Sequence, residues 1–218
     1  MNALTQLMSK RFSFGRLRPL AAVTVWATAV GLGMCTLVRY ETTSAAAGVP
    51  SLSWPTQTRI PRRNDRFTLL MFMHPDCPCS RASIAELEML AAKLQGRLDV
   101  FIQFRKPGML LGEAQASELW KSASAIPNAT VLFDGDGSEM REFGAAVSGQ
   151  AMLYDKAGKL VFNGGITPGR GRVGEAPGAN AVLLSVGGVE APTRAPVFGC
   201  SLHDPTAEEI RDSSWRKR

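Results

Sequence analysis

At 218 residues the chain can hold a membrane segment plus one domain with a substantial core. Its formal charge of +6 is uneven: Lys10, Arg11, Arg16, Arg18 and Arg39 stand at the N-terminal end with no acidic residue before Glu41, which leaves the remainder close to neutral. No basic stripe with interleaved aromatics occurs, which argues against nucleic-acid binding, and two histidines with no spaced carboxylate pair leave little for hydrolytic acid–base chemistry.

Residues 1–18 read as a basic cytoplasmic N-terminus and 19–39 as a transmembrane anchor. The stretch Leu20 to Val38 is uncharged and matches the ~20 residues that cross a bilayer, more than the ~7–15 apolar residues of a signal peptide. The basic residues ahead of it predict a single-pass protein of the cytoplasmic (inner) membrane, with its domain in the periplasm or another extracytoplasmic space. Two rival readings are cleavage at Ala45-Ala46-Ala47 and a lipoprotein signal at Leu32-Gly33-Met34-Cys35; an uncleaved anchor fits better. Residues 40–65, rich in Ser, Ala, Pro and Arg and without periodicity, read as a linker.

A domain is predicted over 66–190, followed by a C-terminal tail over 191–218. Phe67 to Met73 is a short apolar run and reads as a buried strand, followed by a helix over Ser80 to Leu94 with Ile84, Leu87, Leu90 and Leu94 on one face. A strand over Leu98 to Phe104, a helix over Gly112 to Ala123, a strand over Ala129 to Phe133 and a short helix over Ser138 to Phe143 come next. Gln150 to Tyr154 and Lys159 to Phe162 predict a hairpin around Asp155-Lys156-Ala157-Gly158, and a last helix is placed over Asn180 to Val189. Alternating strands and helices with a closing hairpin indicate an α/β domain, a central sheet with helices on both faces. The Gly-rich basic stretch Gly164 to Arg172 fits no phosphate-loop pattern and reads as a loop near the site.

The chemistry concentrates at Cys77-Pro78-Cys79, between a buried strand and a helix start. Free backbone N–H groups and the positive end of the helix dipole stabilise a thiolate there. Of four cysteines, Cys35 lies in the apolar span, so Cys77, Cys79 and Cys200 remain outside, an odd number in a compartment that favours disulfides. A Cys77–Cys79 bridge closes a very small ring and stabilises a fold by only about 1.6 kcal/mol, against about 5 kcal/mol for a bridge from Cys79 to Cys200. A ring so tight is a poor staple and a plausible redox switch. Cys77 is therefore read as the attacking thiolate and Cys79 as the thiol that resolves the mixed disulfide, with Pro78 stiffening the connection. Cys200 is a possible third redox thiol, a tether for the tail or a packed residue.

This order of elements, with Leu69 through Arg81 and Phe143-Gly144 through Gly165, resembles the thioredoxin-like superfamily, in particular the membrane-anchored thiol–disulfide oxidoreductases of the TlpA and ResA type. The Cys-Pro-Cys-Ser form, with Gly164-Gly165-Ile166-Thr167 and Phe198-Gly199-Cys200, is similar to a smaller RedB-like group. The resemblance implies a thioredoxin-like fold and thiol–disulfide exchange with exported proteins, fed by a membrane electron donor and needing no cofactor. Aligned through the helix, Cys77 falls on the family's nucleophilic cysteine and Ser80 where the resolving cysteine stands, so that Cys79 is an added thiol. Gly149 falls where thioredoxins carry a cis-proline that faces the cysteines. The alternative is a copper-binding protein, similar to the Sco-type chaperones, that holds Cu(I) through His74, Cys77 and Cys79. Outside that reading His74 is a residue that tunes the nearby thiol, lowering the Cys77 pKa as an imidazolium.

Overall fold

Every residue of Phe67–Met73 (β1) after the first is buried, because this strand is central in its sheet and covered on both faces. A computed structural model of the chain describes residues 14–203 except 107, and side chains from residue 19 onward. The expectations for residues 1–13, for the last part of the tail from residue 204 and for Pro107 lie outside the described residues. The chain divides into two units at Thr42 and Thr43. The first ends in one helix, Phe14–Thr42 (α1), in which Pro19–Thr42 is long and apolar enough to cross a membrane.

In the second unit, β1 leads into Pro78–Lys93 (α2), Leu98–Phe104 (β2), the short helices Leu111–Ala116 (α3) and Glu118–Ser124 (α4), and Ala129–Phe133 (β3). Ser138–Phe143 (α5), the hairpin Gln150–Tyr154 (β4) and Leu160–Gly164 (β5), and Pro177–Val186 (α6) complete it. The sheet order is β3-β2-β1-β4-β5, with β1, β2 and β3 parallel and β4 antiparallel to both β1 and β5.

Side-chain alternation along β1 divides the core in two. Leu69, Met71 and Met73 face Ile84, Leu87 and Leu90 of α2 and Val182 of α6, while Leu70 and Phe72 face Met140 and Phe143 of α5.

Three predicted boundaries move for local reasons. The helix expected over Gly112 to Ala123 breaks at Ser117, which adopts an extended conformation and accepts the Trp120 N–H at 3.2 Å, so serine caps a second helix and does not continue the first. The last helix begins three residues early, at Pro177, where a missing N–H costs nothing, and ends ahead of Gly187 and Gly188. The second hairpin strand starts one residue late, after a turn in which the Asp155 carboxylate accepts the Ala157 and Lys159 N–H groups, each at 2.9 Å, and runs to Gly164, which pairs with Ala151 of β4.

The largest corrections concern the linker and the tail. Residues 43–65 are not a free linker but a belt on the face opposite α2. Trp54 packs edge-on against Phe143 and Tyr154, with ring centroids 5.1 and 5.2 Å apart. The Tyr154 hydroxyl donates to the Ser51 carbonyl at 2.9 Å, Ile60 is buried, and the Glu139 carboxylate accepts from the Thr58 hydroxyl and the Arg59 N–H. These contacts are set by isolated aromatic and polar residues rather than a period, so pattern reading passes over them. The tail joins the domain through residue 202: Val197 pairs with Ala45, Ser201 with Val147, and Val197, Phe198 and Leu202 are buried.

Replacing Trp54 by alanine is expected to lower stability by about 2–4 kcal/mol, the cost of removing a large half-buried aromatic from a packed cluster. Denaturant unfolding of the full chain measures this; an unchanged midpoint would mean that the belt does not hold the domain together.

Candidate redox site

Proline at 78 occupies the first helical position of α2 and makes Cys77 its N-cap, with an extended backbone (φ −78°, ψ 119°). Cys77 therefore stands at the first turn of α2, where it is 3% exposed and Cys79 is 9% exposed. No donor meets the sulfur in strict capping geometry. Burial raises the Cys77 pKa, but the Cys200 thiol and N–H, the Cys79 N–H and the Ser80 hydroxyl together outweigh it and leave the thiol below its ordinary range.

Cys200 arrives from a distant part of the chain. Its carbonyl accepts the Ser148 N–H at 2.8 Å, the Leu202 N–H donates to Ala146 at 2.9 Å, and the Gly165 N–H donates to Pro196 at 3.2 Å. Gly199 lies on the Ser148 carbonyl so closely that any Cβ there would collide with it. Cys200 is exposed as a residue, yet enough protein surrounds its sulfur that burial, with the neighbouring Cys77 adding to it, pushes its pKa up to about 12. The Cys79 thiol is also raised, first by burial and then by the charge on Cys77, while the Gly171 N–H and Arg170 act against this. The loop over Gly164 to Arg172 thus lies beside the thiols, as expected.

Ser80 does not stand idle in the place of a second family cysteine. Its hydroxyl lies 2.8 Å from that of Ser148 and 3.2 Å from the His74 carbonyl, and the Ser148 hydroxyl accepts the His74 N–H at 2.8 Å. These bonds tie the end of β1, the start of α2 and the loop before β4 into one buried polar knot. Gly149 closes that loop with φ +84°, its N–H donating to Phe72 at 2.7 Å and its missing Cβ leaving room for the Ser83 hydroxyl. Among the described residues every peptide bond is trans, that before Gly149 included.

His74 departs from both roles considered for it. Half-buried, it has its pKa lowered, chiefly by burial, and its Nδ1 accepts the Asp76 N–H at 3.1 Å. Burial thus disfavours the imidazolium expected to lower the Cys77 pKa, and the ring is tied to its own loop. Among the described residues no three His, Cys, Asp or Glu side chains are placed to hold a metal ion, so His74, Cys77 and Cys79 do not fit a three-ligand copper site.

One side of Cys77 opens to solvent through a cleft of about 560 Å³, bordered by Pro75, Asp76, Pro78, Arg81 and Glu118. A second hollow of about 420 Å³ shares Arg81, Glu118 and Leu119 and extends it along α2 and α4. Sequence reasoning placed the loop of Arg170 and Gly171 near the site and Ser148 in the stretch that carries the resemblance, but assigned none of the three a role there. The glycine before Cys200 was a signal for a close backbone approach, though not for its partner.

No protein-family model matches the chain, and no curated protein matches it. Solved structures do. A hypothetical protein (SMc02350) from Sinorhizobium meliloti 1021 superposes with a TM-score of 0.56 at 21% identity, over 72% of this chain and 96% of that one. An uncharacterized conserved protein from Geobacillus kaustophilus gives 0.54 at 18% identity, over 76% and 94%. StoA from Bacillus subtilis gives 0.42 at 15% identity, over 62% and 96%. With its mixed five-stranded sheet and helices on both faces, the chain has a thioredoxin-like fold.

A lowered pKa means more thiolate at any given pH, so the alkylation rate of Cys77 is expected to reach its plateau at lower pH than an ordinary thiol's. Ser80→Ala removes one donor from the sulfur and leaves Ser148 short of a partner. It should shift that profile to higher pH and cost about 1–2 kcal/mol of stability. Iodoacetamide kinetics read by mass spectrometry test both; a profile midpoint for Cys77 at or above pH ~8.5 contradicts the first.

Proposed function

We propose that the chain is a membrane-anchored extracytoplasmic thiol–disulfide oxidoreductase that exchanges electrons with exported proteins. The single observation that carries this reading is the Cys77 sulfur at the N-terminus of α2, ringed by donors that favour its thiolate and open to solvent through a cleft. A thiolate is the attacking species in exchange, and the acidic thiol that supplies it is also the better leaving group.

In the reaction, the Cys77 thiolate attacks one sulfur of a partner's disulfide. A Cys77–partner mixed disulfide forms, and the partner's other sulfur leaves as a thiolate. A second thiol of the cluster, Cys79 in the sequence reading, then attacks the Cys77 sulfur, giving an internal disulfide and releasing the partner reduced. Two electrons pass in all, and a thiol donor from the membrane restores the internal pair. Run in reverse, the same steps oxidise a partner. The span Pro19–Thr42, with basic residues ahead of it, supports an inner-membrane location with the domain in the periplasm. Copper delivery has less support, because His74 is committed to Asp76.

The test is a redox titration of the full chain in detergent, free of metal, across glutathione buffers with thiol trapping. One reversible two-electron transition within about −270 to −120 mV is expected, and Cys77→Ser should abolish it. Thiols that stay reduced throughout that range would overturn the reading.

A further inference from the structure

We infer that Cys200, carried by the C-terminal segment, is the thiol that closes on Cys77 and resolves its mixed disulfide. The inference rests on the exchange reading above and reassigns the second thiol within it.

The segment over residues 195–202 is built into the site rather than draped on it. It is pinned by the backbone bonds of Gly165 to Pro196, Ser148 to Cys200 and Leu202 to Ala146. Gly199 is seated on the Ser148 carbonyl, with no space for a larger residue. Ser148 in turn is bonded through its hydroxyl to Ser80 in the first turn of α2, the turn that Cys77 caps. This chain of contacts brings the Cys200 thiol and N–H beside the Cys77 sulfur. Cys79 is near the same sulfur, but it is buried in the helical turn behind Pro78. Closing Cys77 on Cys79 strains a helix start; closing it on Cys200 joins two separate segments of the chain.

Charge then orders the steps. While Cys77 is a thiolate, its negative charge helps hold Cys200 as a thiol. Once Cys77 is consumed in a mixed disulfide that charge is gone; burial and the neighbouring Cys79 still oppose ionisation of Cys200, and Arg170 favours it. The Cys200 proton passes to the partner thiolate already expelled. The Cys200 thiolate attacks the Cys77 sulfur, the Cys77–partner bond breaks, and the partner's second sulfur leaves as a thiolate. Reduction by an external thiol donor proceeds at the Cys200 sulfur, because that attack expels Cys77, the more acidic and faster-leaving thiol. The donor's second thiol then completes its own disulfide and frees Cys200.

The experiment treats full-length reduced protein in detergent with glutathione disulfide, quenches in acid, alkylates and maps disulfides by mass spectrometry. Wild type, Cys79→Ser, Cys200→Ser and Cys200→Ala are compared, with near-UV circular dichroism to check that each is folded. A Cys77–Cys200 bridge is expected in wild type and in Cys79→Ser, and both Cys200 variants should accumulate Cys77–glutathione at least tenfold over wild type. A Cys77–Cys79 bridge in wild type, formed at the same rate in the Cys200 variants, overturns the inference and leaves the exchange reading standing. Absence of any glutathione adduct or bridge at Cys77 in every protein overturns both. The wild-type map decides between the two bridges without any variant.

Discussion

A thiol held below its ordinary pKa range although largely buried is the constraint around which this domain is arranged. Burial alone would push the Cys77 thiol up, as it does Cys79 and Cys200. The shift is reversed because donors from two parts of the chain meet there, from the start of α2 and from the C-terminal segment. The remaining features follow from this meeting. Proline begins α2 so that the cysteine can cap it, Ser80 and Ser148 join the helix to the loop before β4, and two glycines allow backbone to approach backbone.

The fold was largely legible because its signals are periodic. β1 announces itself as an apolar run and α2 as a stripe at Ile84, Leu87, Leu90 and Leu94, and both stand within two residues of the expected bounds. Cys77 and Cys79 were legible for a related reason, since a strand feeding cysteines into a helix start is a local pattern. What the sequence could not disclose is long-range and aperiodic. Nothing near Cys200 says that its carbonyl will meet Ser148, and nothing in the composition of residues 43–65 says that Trp54 will find Phe143 and Tyr154. The imidazolium expected at His74 is disfavoured chiefly by burial, which depends on how distant segments pack around the ring.

The belt and the tail together explain why a domain predicted over 66–190 reaches from Thr43 to at least His203. Each covers what the sheet and its helices leave open. The belt closes the aromatic half of the core around Phe143 and Tyr154. The tail adds backbone pairing beside the loop before β4. Chain segments with little regular structure therefore carry as much of the architecture as α3 or α5.

Three sulfurs in one cluster have an arithmetic consequence. Disulfides form in pairs, so an oxidised cluster always keeps one thiol in reserve beside the bond. That spare sulfur can exchange places with either bonded one without any electron entering or leaving. In the exchange reading the cluster thus holds a single two-electron equivalent, and with Cys77 bonded to Cys200 the sulfur kept in reserve is Cys79.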